Sequence, residues 1–287
     1  MRREQGWKEG VLLLDGIKKV HFIGIGGYGM SALAFILLQA GFDVQGSDLQ
    51  SSNITEQLAK AGATVYRGHN PDQLGDTQLA VYSTAIRPDN PELVAARQKN
   101  LVLWHRSELL AAILNDGYGI AIAGTHGKTT TTAMVSCILA HSGSDPTAII
   151  GGEVPFFQGN AILGKSSYVV AEACESDHSF LRYKPHLAVV TNIEADHLEH
   201  YNGSFAQLVE TYRCFINNVP TQGQALLCSD DPVLRDLWPK LFPPLLSYGL
   251  EEGADIRGGE VQFKGLGASF QIYYQDLFGR EYSHSFF

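Results

Sequence analysis

Apolar runs and amphipathic stretches alternate through the first hundred residues. KVHFIGIG reads as a buried strand, Met30 to Ala40 as a helix and DVQGSD as a strand, with a helix near Thr55 to Ala61 and further strands at TVYRGH and LAVYSTAI. A helix over Pro91 to Gln98, the run LVLWH and a helix over Ser107 to Leu114 complete the series. Apolar strands separated by helices imply parallel pairing through crossover connections, so residues 1–115 are expected to form a Rossmann-like domain. Asn115, Asp116 and Gly117 then break the pattern.

A second α/β series follows. Ile120 to Ala123, SSYVVAEA and HLAVVTNI are strand-like, Phe205 to Phe215 is helix-like, and GQALLC leads to a helix expected to start at Asp231 and Pro232. Past Leu245 the pattern changes to short strand-like pieces between glycines, ADIRGGEVQF and ASFQIYY. Residues 116–287 are expected to be a P-loop ATPase-type α/β domain with a small β-rich end.

Composition narrows the function classes. A chain of 287 residues exceeds the usual single core, and 45% hydrophobic with 18% charged residues is ordinary for a soluble globular protein. Lys plus Arg is 21 against 30 Asp plus Glu, a net charge of −9 without a basic stripe, which argues against nucleic acid as a partner. No apolar run is long enough for a membrane span, and the start, MRREQGWKEGVLLLDG, lacks the features of a signal peptide, so no membrane partner is expected. Cys137, Cys174, Cys214 and Cys228 show no C-x-x-C spacing, which fits a reduced cytoplasmic enzyme.

The most informative chemistry lies in YGIAIAGTHGKTTTTAM, residues 118–134. A strand that breaks at Gly124 into Thr125, His126 and Gly127 before Lys128, Thr129 and Thr130 open a helix is built like a phosphate-binding loop. Backbone N–H groups can face an anion, Lys128 can reach terminal phosphates, and a Thr hydroxyl can sit on Mg²⁺. The loop is shorter than G-x-x-x-x-G-K-[ST], since position 122 is Ile; a chance Gly-Lys-Thr in a surface turn is the alternative.

Gly24, Gly26 and Gly29, with Gly27 between, make G-x-G-x-x-G after a strand, and Asp48 ends the next strand. By spacing this is a dinucleotide fingerprint; glycines used only for tight packing are the alternative. Glu172, in VVAEACESD, is expected at a strand end where carboxylates commonly hold Mg²⁺, although three acids in six residues could also be a solvated turn. VVTNIEADHLEHY brings Asn192, Glu194, Asp196 and His197 to the end of another strand. A lone His is more often structural than a ligand, but a strand's carboxyl end opens onto the ligand crevice.

HFIGIGGYGMSALA, GSDLQSSNITEQLAKAGATVYRGH, STAIRPDNPEL, GTHGKTTTTAM, AEACESDHSFL and TNIEADHLEHY together, in this order, resemble the Mur ligase family over nearly all of the chain up to about residue 270. The segment after Asp48 is more similar to the branch that adds L-alanine to UDP-N-acetylmuramate than to the branch that attaches a recycled tripeptide. The resemblance implies that the first glycine turn binds a UDP-sugar rather than NAD, with Gly24, Gly26, Gly27, Gly29, Asp48, His69, Ser83, Thr84, Asn90 and Asn192 at that site. It also implies ATP over Gly124 to Thr130, Lys128 on the transferring phosphoryl group, Thr129 and Glu172 on one Mg²⁺, and His197 helping to place a second. ATP would phosphorylate the sugar's lactyl carboxylate, and the amine of L-alanine would attack the acyl phosphate. The helix FAQLVETYRCFINN lacks the lysine that some relatives carry carbamylated, which is similar to the alanine-adding branch.

Two departures accompany the resemblance. Cys174 stands where the family usually has Asp. The family's third, Rossmann-like domain, which binds the amino acid, has no counterpart in these 287 residues, and the ending QDLFGREYSHSFF does not resemble the segment that leads into it. Positioning of reactants is worth ~7 kcal/mol or more. A truncated ligase that binds its UDP-sugar, and Mg²⁺-ATP weakly, without useful turnover is therefore the expectation, with a non-catalytic UDP-sugar or nucleotide-binding regulator as the alternative.

Overall fold

Val20, Phe22 and Ile23 are fully buried in the first strand, and the chain builds outward from such apolar runs. The computed structural model describes residues 14, 16–265, 267–275 and 280–286. Most of MRREQGWKEGVLLLDG and part of QDLFGREYSHSFF lie outside them. Internal packing divides the chain into two units. One runs to Ile120 and takes up Thr129–Glu172 and Arg182–Lys184; the other comprises Ala121–Lys128, Ala173–Leu181 and the chain from Pro185 onward.

In chain order the first elements are β1 (Lys19–Ile23), α1 (Tyr28–Gln39), β2 (Asp43–Asp48), α2 (Asn53–Lys60), β3 (Thr64–Arg67), β4 (Leu79–Tyr82), α3 (Pro91–Gln98), β5 (Val102–His105) and α4 (Arg106–Asp116). The five strands form a sheet of order β3-β2-β1-β4-β5, every neighbouring pair parallel. Strand order reverses between β1 and β4, the switch point at whose strand carboxyl ends open α/β sheets bind their ligands. Local chemistry sets the helix starts. Ser52 and Thr55 form a capping box on α2, and Asn90 accepts from the Glu92 and Leu93 N–H groups ahead of Pro91. α1 starts at Tyr28, two residues before the expected Met30, because the glycine turn feeds directly into it.

The chain continues through β6 (Tyr118–Ala123), α5 (Lys128–His141), β7 (Thr147–Val154), β8 (Gly159–Ile162), β9 (Tyr168–Glu172), β10 (Leu187–Val190), α6 (Phe205–Asn217), β11 (Gln224–Cys228), α7 (Pro232–Leu237), β12 (Leu245–Gly249), β13 (Ile256–Lys264), β14 (Gly267–Gln275) and β15 (Glu281–Phe286). The second sheet is mixed, in the order β15-β14-β13-β12-β11-β10-β6-β9-β7-β8. β10 to β13 pair in parallel, whereas β13, β14 and β15 form an antiparallel meander, the β-rich end expected from the glycine-spaced text. Asp231 caps α7 with Pro232 at its first position. The β7–β8 hairpin has no counterpart in the sequence-based reading. The GlyGly pair in TAIIGGEV hides a strand whose first half is buried and whose second half alternates.

Candidate functional site

The residues expected at the nucleotide-sugar site lie in the first unit, Asn192 excepted, and all of these but Asn90 stand at the carboxyl end of a strand or just after it. Gly24 to Gly29 follow β1, Asp48 ends β2, His69 follows β3, Ser83 and Thr84 follow β4, and Asn90 caps α3. Asp48 Oδ2 accepts from the Gly26 N–H at 2.9 Å and Oδ1 from the Gln50 N–H at 3.2 Å, so the carboxylate braces the glycine turn. α1 has neither a side-chain cap nor an acidic residue in its first turn, which leaves donors there for an anion.

Behind His69 lies a buried network that the sequence-based reading missed. Glu92 is fully buried; its Oε2 accepts from the Ser47 hydroxyl and lies 2.9 Å from His69 Nδ1. His21 Nε2 is 3.4 Å from Glu92 Oε1, and the Gln45 amide donates to His21 Nδ1 at 3.1 Å. Burial pushes the Glu92 carboxyl up, but the surrounding His21, Ser47 and His69 groups outweigh it and hold the group below its ordinary value.

The same unit places Thr129, exposed in the first turn of α5, and Glu172, at the end of β9. Glu172 Oε1 accepts from the Gly151 N–H at 2.7 Å. A Cβ on Gly151 would sit 2.6 Å from Glu172 Oε2, so any larger residue there would displace the carboxylate. One built on Gly152 would lie 3.3 Å from the Thr129 methyl carbon Cγ2, which puts the Thr129 side chain and the Glu172 carboxylate beside the same glycine pair. The GlyGly doublet after an apolar run was the signal for it.

In the second unit the candidate phosphate loop is tied to the segment after β10. The Thr125 N–H donates to the Asn192 carbonyl at 3.1 Å. The Asn192 side chain accepts from the His126 N–H at 2.9 Å and donates to the His126 carbonyl at 3.1 Å. Asn192, expected with the UDP-sugar residues, thus has both ends of its amide on the phosphate loop. Thr191 Oγ1 donates to the His126 carbonyl at 2.6 Å, and Gly124, at φ +137°, has no room for a Cβ against that hydroxyl.

Lys128 Nζ folds back on its own loop, donating to the carbonyls of Gly124 and Thr125 and pairing with Glu175 at 3.1 Å. Glu175 is buried, and its carbonyl accepts from the buried Tyr201 hydroxyl. Burial, with Glu175 next in effect, pushes the Tyr201 phenol above its ordinary value, so it stays a donor. Thr130, His126 and Gly127 are exposed. Cys174 Sγ lies 3.0 Å from Ser176 Oγ. His197 is exposed at φ +53°, its ring 3.8 Å from Asp196 and 3.7 Å from Glu199. Among the described residues, no three or more His, Cys, Asp or Glu side chains converge as a metal site, and no helix is long and apolar enough to cross a membrane.

Comparison with known families decides what this geometry belongs to. The family model described as the Mur ligase family catalytic domain matches residues 19–118, and that of the Mur ligase middle domain matches 122–283. The chain belongs to the Mur ligase family. Among curated Mur ligases it is 48% identical over 259 residues to the UDP-N-acetylmuramate–L-alanine ligase of Pelobacter propionicus, covering 90% of this chain and 56% of that protein. It is 46% identical to the same ligase of Geobacter sulfurreducens, with the same coverage. The chain thus spans little more than half the length of these relatives. The solved UDP-N-acetylmuramate:L-alanyl-gamma-D-glutamyl-meso-diaminopimelate ligase of Neisseria meningitidis superposes with a TM-score of 0.81 at 28% identity, covering 90% of this chain and 84% of that one. The UDP-N-acetylmuramate–alanine ligase of Thermotoga maritima superposes at 0.80 and 28%, covering 93% and 60%.

Proposed function

We propose that residues 1–115 bind UDP-N-acetylmuramate, that residues 116–287 bind ATP with Mg²⁺, and that the chain serves the cytoplasmic ligation of L-alanine to UDP-N-acetylmuramate in peptidoglycan precursor synthesis (EC 6.3.2.8). The observation that carries this reading is the 45–48% identity to curated UDP-N-acetylmuramate–L-alanine ligases across at least nine-tenths of the chain. The geometry supports it in two places. The glycine turn after β1 offers unpaired helix donors to a diphosphate, and Gly124 to Thr130 form a braced anion loop opening α5.

In the proposed reaction ATP phosphorylates the lactyl carboxylate, and the amine of L-alanine attacks the acyl phosphate with loss of phosphate. Lys128 would exchange its Gly124 and Thr125 carbonyls for phosphate oxygens and offset charge on the transferring group. One hydroxyl and one carboxylate, Thr129 and Glu172, fit Mg²⁺, a hard cation that takes few protein oxygens beside waters and phosphates. When bound it would neutralise phosphate charge there. His197 is the candidate for a second metal position. Asn192 would keep the His126 peptide, and with it the loop, in register.

Calorimetric titration with UDP-N-acetylmuramate and with Mg²⁺-ATP tests the reading. Both ligands should bind, and Lys128→Ala should lose ATP while keeping the UDP-sugar; failure of the wild-type chain to bind UDP-N-acetylmuramate would sink it. The Neisseria superposition favours a second reading, attachment of a recycled tripeptide to the same sugar. Phosphate release with L-alanine compared with the tripeptide separates the two.

A further inference from the structure

The Glu92 network fixes more than the position of a ring. Glu92 is ionised at neutral pH, its carboxyl held low by the donors around it, and so it can only accept. The Ser47 hydroxyl proton points to Glu92 Oε2, which leaves Ser47 Oγ an acceptor toward His69 Nδ1, 2.8 Å away. Glu92 Oε2, at 2.9 Å, is the other neighbour of that nitrogen. Both neighbours of Nδ1 are acceptors, so Nδ1 carries a proton, and whenever the ring is neutral the lone pair is on Nε2.

The elements around Glu92 are built to hold this arrangement. Asn90 Oδ1 takes the Glu92 N–H at 3.0 Å, which fixes the start of α3 and the direction of its carboxylate. On the far oxygen, His21 Nε2 lies at 3.4 Å, and its tautomer is set in turn by the Gln45 amide on Nδ1. With its amide oriented to satisfy both neighbours, Gln73 donates to the Gly68 carbonyl and to Glu92 Oε1 at 2.7 Å, tying the carboxylate to the residue just before His69. The His69 side chain is about one-tenth exposed, and among the described residues nothing bonds its Nε2.

We propose that Glu92 is a positioning residue that locks His69 in the Nδ1–H tautomer, so that Nε2 meets the nucleotide as a hydrogen-bond acceptor. The partner of His69 is then a donor group of the ligand, a base N–H or a ribose hydroxyl, and not a phosphate oxygen. This deepens the UDP-sugar reading and rests on it. A histidine among diphosphate-binding residues would otherwise be read as a cation for phosphate. The carboxylate behind it assigns the opposite role, in the way an outer partner orients a histidine ligand.

Nitrogen NMR of the 287-residue chain labelled with ¹⁵N-histidine tests this at about pH 8.5, where an ordinary imidazole is neutral, with His69→Gln to assign the signals. The expected result is a protonated, pyrrole-like Nδ1 and a lone-pair, pyridine-like Nε2 at His69. The reverse pattern, or an even mixture, overturns the proposal. Glu92→Gln should move the population toward the Nε2–H form and weaken UDP binding roughly tenfold, and Glu92→Asp should restore part of both; a merely structural carboxylate would leave the tautomer unmoved. On adding UDP, the His69 Nε2 signal should shift as for an accepted hydrogen bond. UDP binding with that signal unmoved overturns the donor assignment. Absence of UDP binding by the wild-type chain overturns the UDP-sugar reading instead, while the tautomer, measured without ligand, still decides the role of Glu92.

Discussion

Lys128 Nζ lies 3.1 Å from both carboxylate oxygens of Glu175, and Glu175 is 2% exposed. Removing one member of a buried pair leaves the other charge uncompensated, while the loop carbonyls and partial exposure of Lys128 soften the loss. Glu175→Ala should lower unfolding free energy by about 2 kcal/mol, read from urea melts at constant slope. An unchanged midpoint would show that the loop carbonyls alone satisfy the lysine.

Gly151→Ala puts a methyl group 2.6 Å from Glu172 Oε2 and removes no polar group. The carboxylate is the mobile end of its side chain, beside an exposed glycine, so it moves at little cost in stability, and the substitution acts through the position of Glu172. Mg²⁺-ATP binding should weaken more than binding of metal-free ATP, as measured by calorimetry with and without chelator. Equal weakening of both would separate Glu172 from the metal.

Asn90→Ala takes away the acceptor of two N–H groups at the start of α3. Loss of such a cap costs about 1 kcal/mol, and Asn90→Asp should recover most of it. Thermal melts of the two variants check the order; equal melting temperatures would mean that Pro91 alone defines the helix start.

The depressed Glu92 carboxyl has a signed consequence for stability. Its folded-state pKa lies below the unfolded value, so its contribution is fully present above the ordinary carboxylate range. That contribution is lost as pH falls through the lowered pKa, because protonation removes the acceptor from Ser47 and His69. Stability measured from neutral to acid pH should fall less steeply in Glu92→Gln than in the wild-type chain. A parallel fall in both would place the acid sensitivity elsewhere.

Much of the fold is legible in the sequence because the information is local. Ile120 to Ala123 is apolar, Asp231 and Pro232 start α7, and the glycines past Gly253 mark the antiparallel end. The candidate phosphate loop is local for the same reason: Gly124 to Thr130 are consecutive. Glu92 was not legible, since His21, Ser47 and His69 are 71, 45 and 23 residues away and only the parallel order of β1, β2 and β3 gathers them. The bracing of His126 by Asn192 depends likewise on a separation of 66 residues. Lone polar residues inside apolar strands, His21 and Gln45 among them, were the available hint, because a buried polar group must find a partner.

The change of strand direction at β13 bears on how the chain acquires its structure. β10, β11 and β12 pair in parallel, and each pairing must close a long crossover before any ladder bond forms, whereas β14 pairs with β13 from Lys264 opposite Gly267 onward, close in sequence. Short-range pairing is kinetically cheap and long-range pairing is slow. Pulse-labelled amide exchange during refolding should therefore protect the β13–β14 ladder before the parallel strands, so that order spreads from the hairpin toward the sheet it extends.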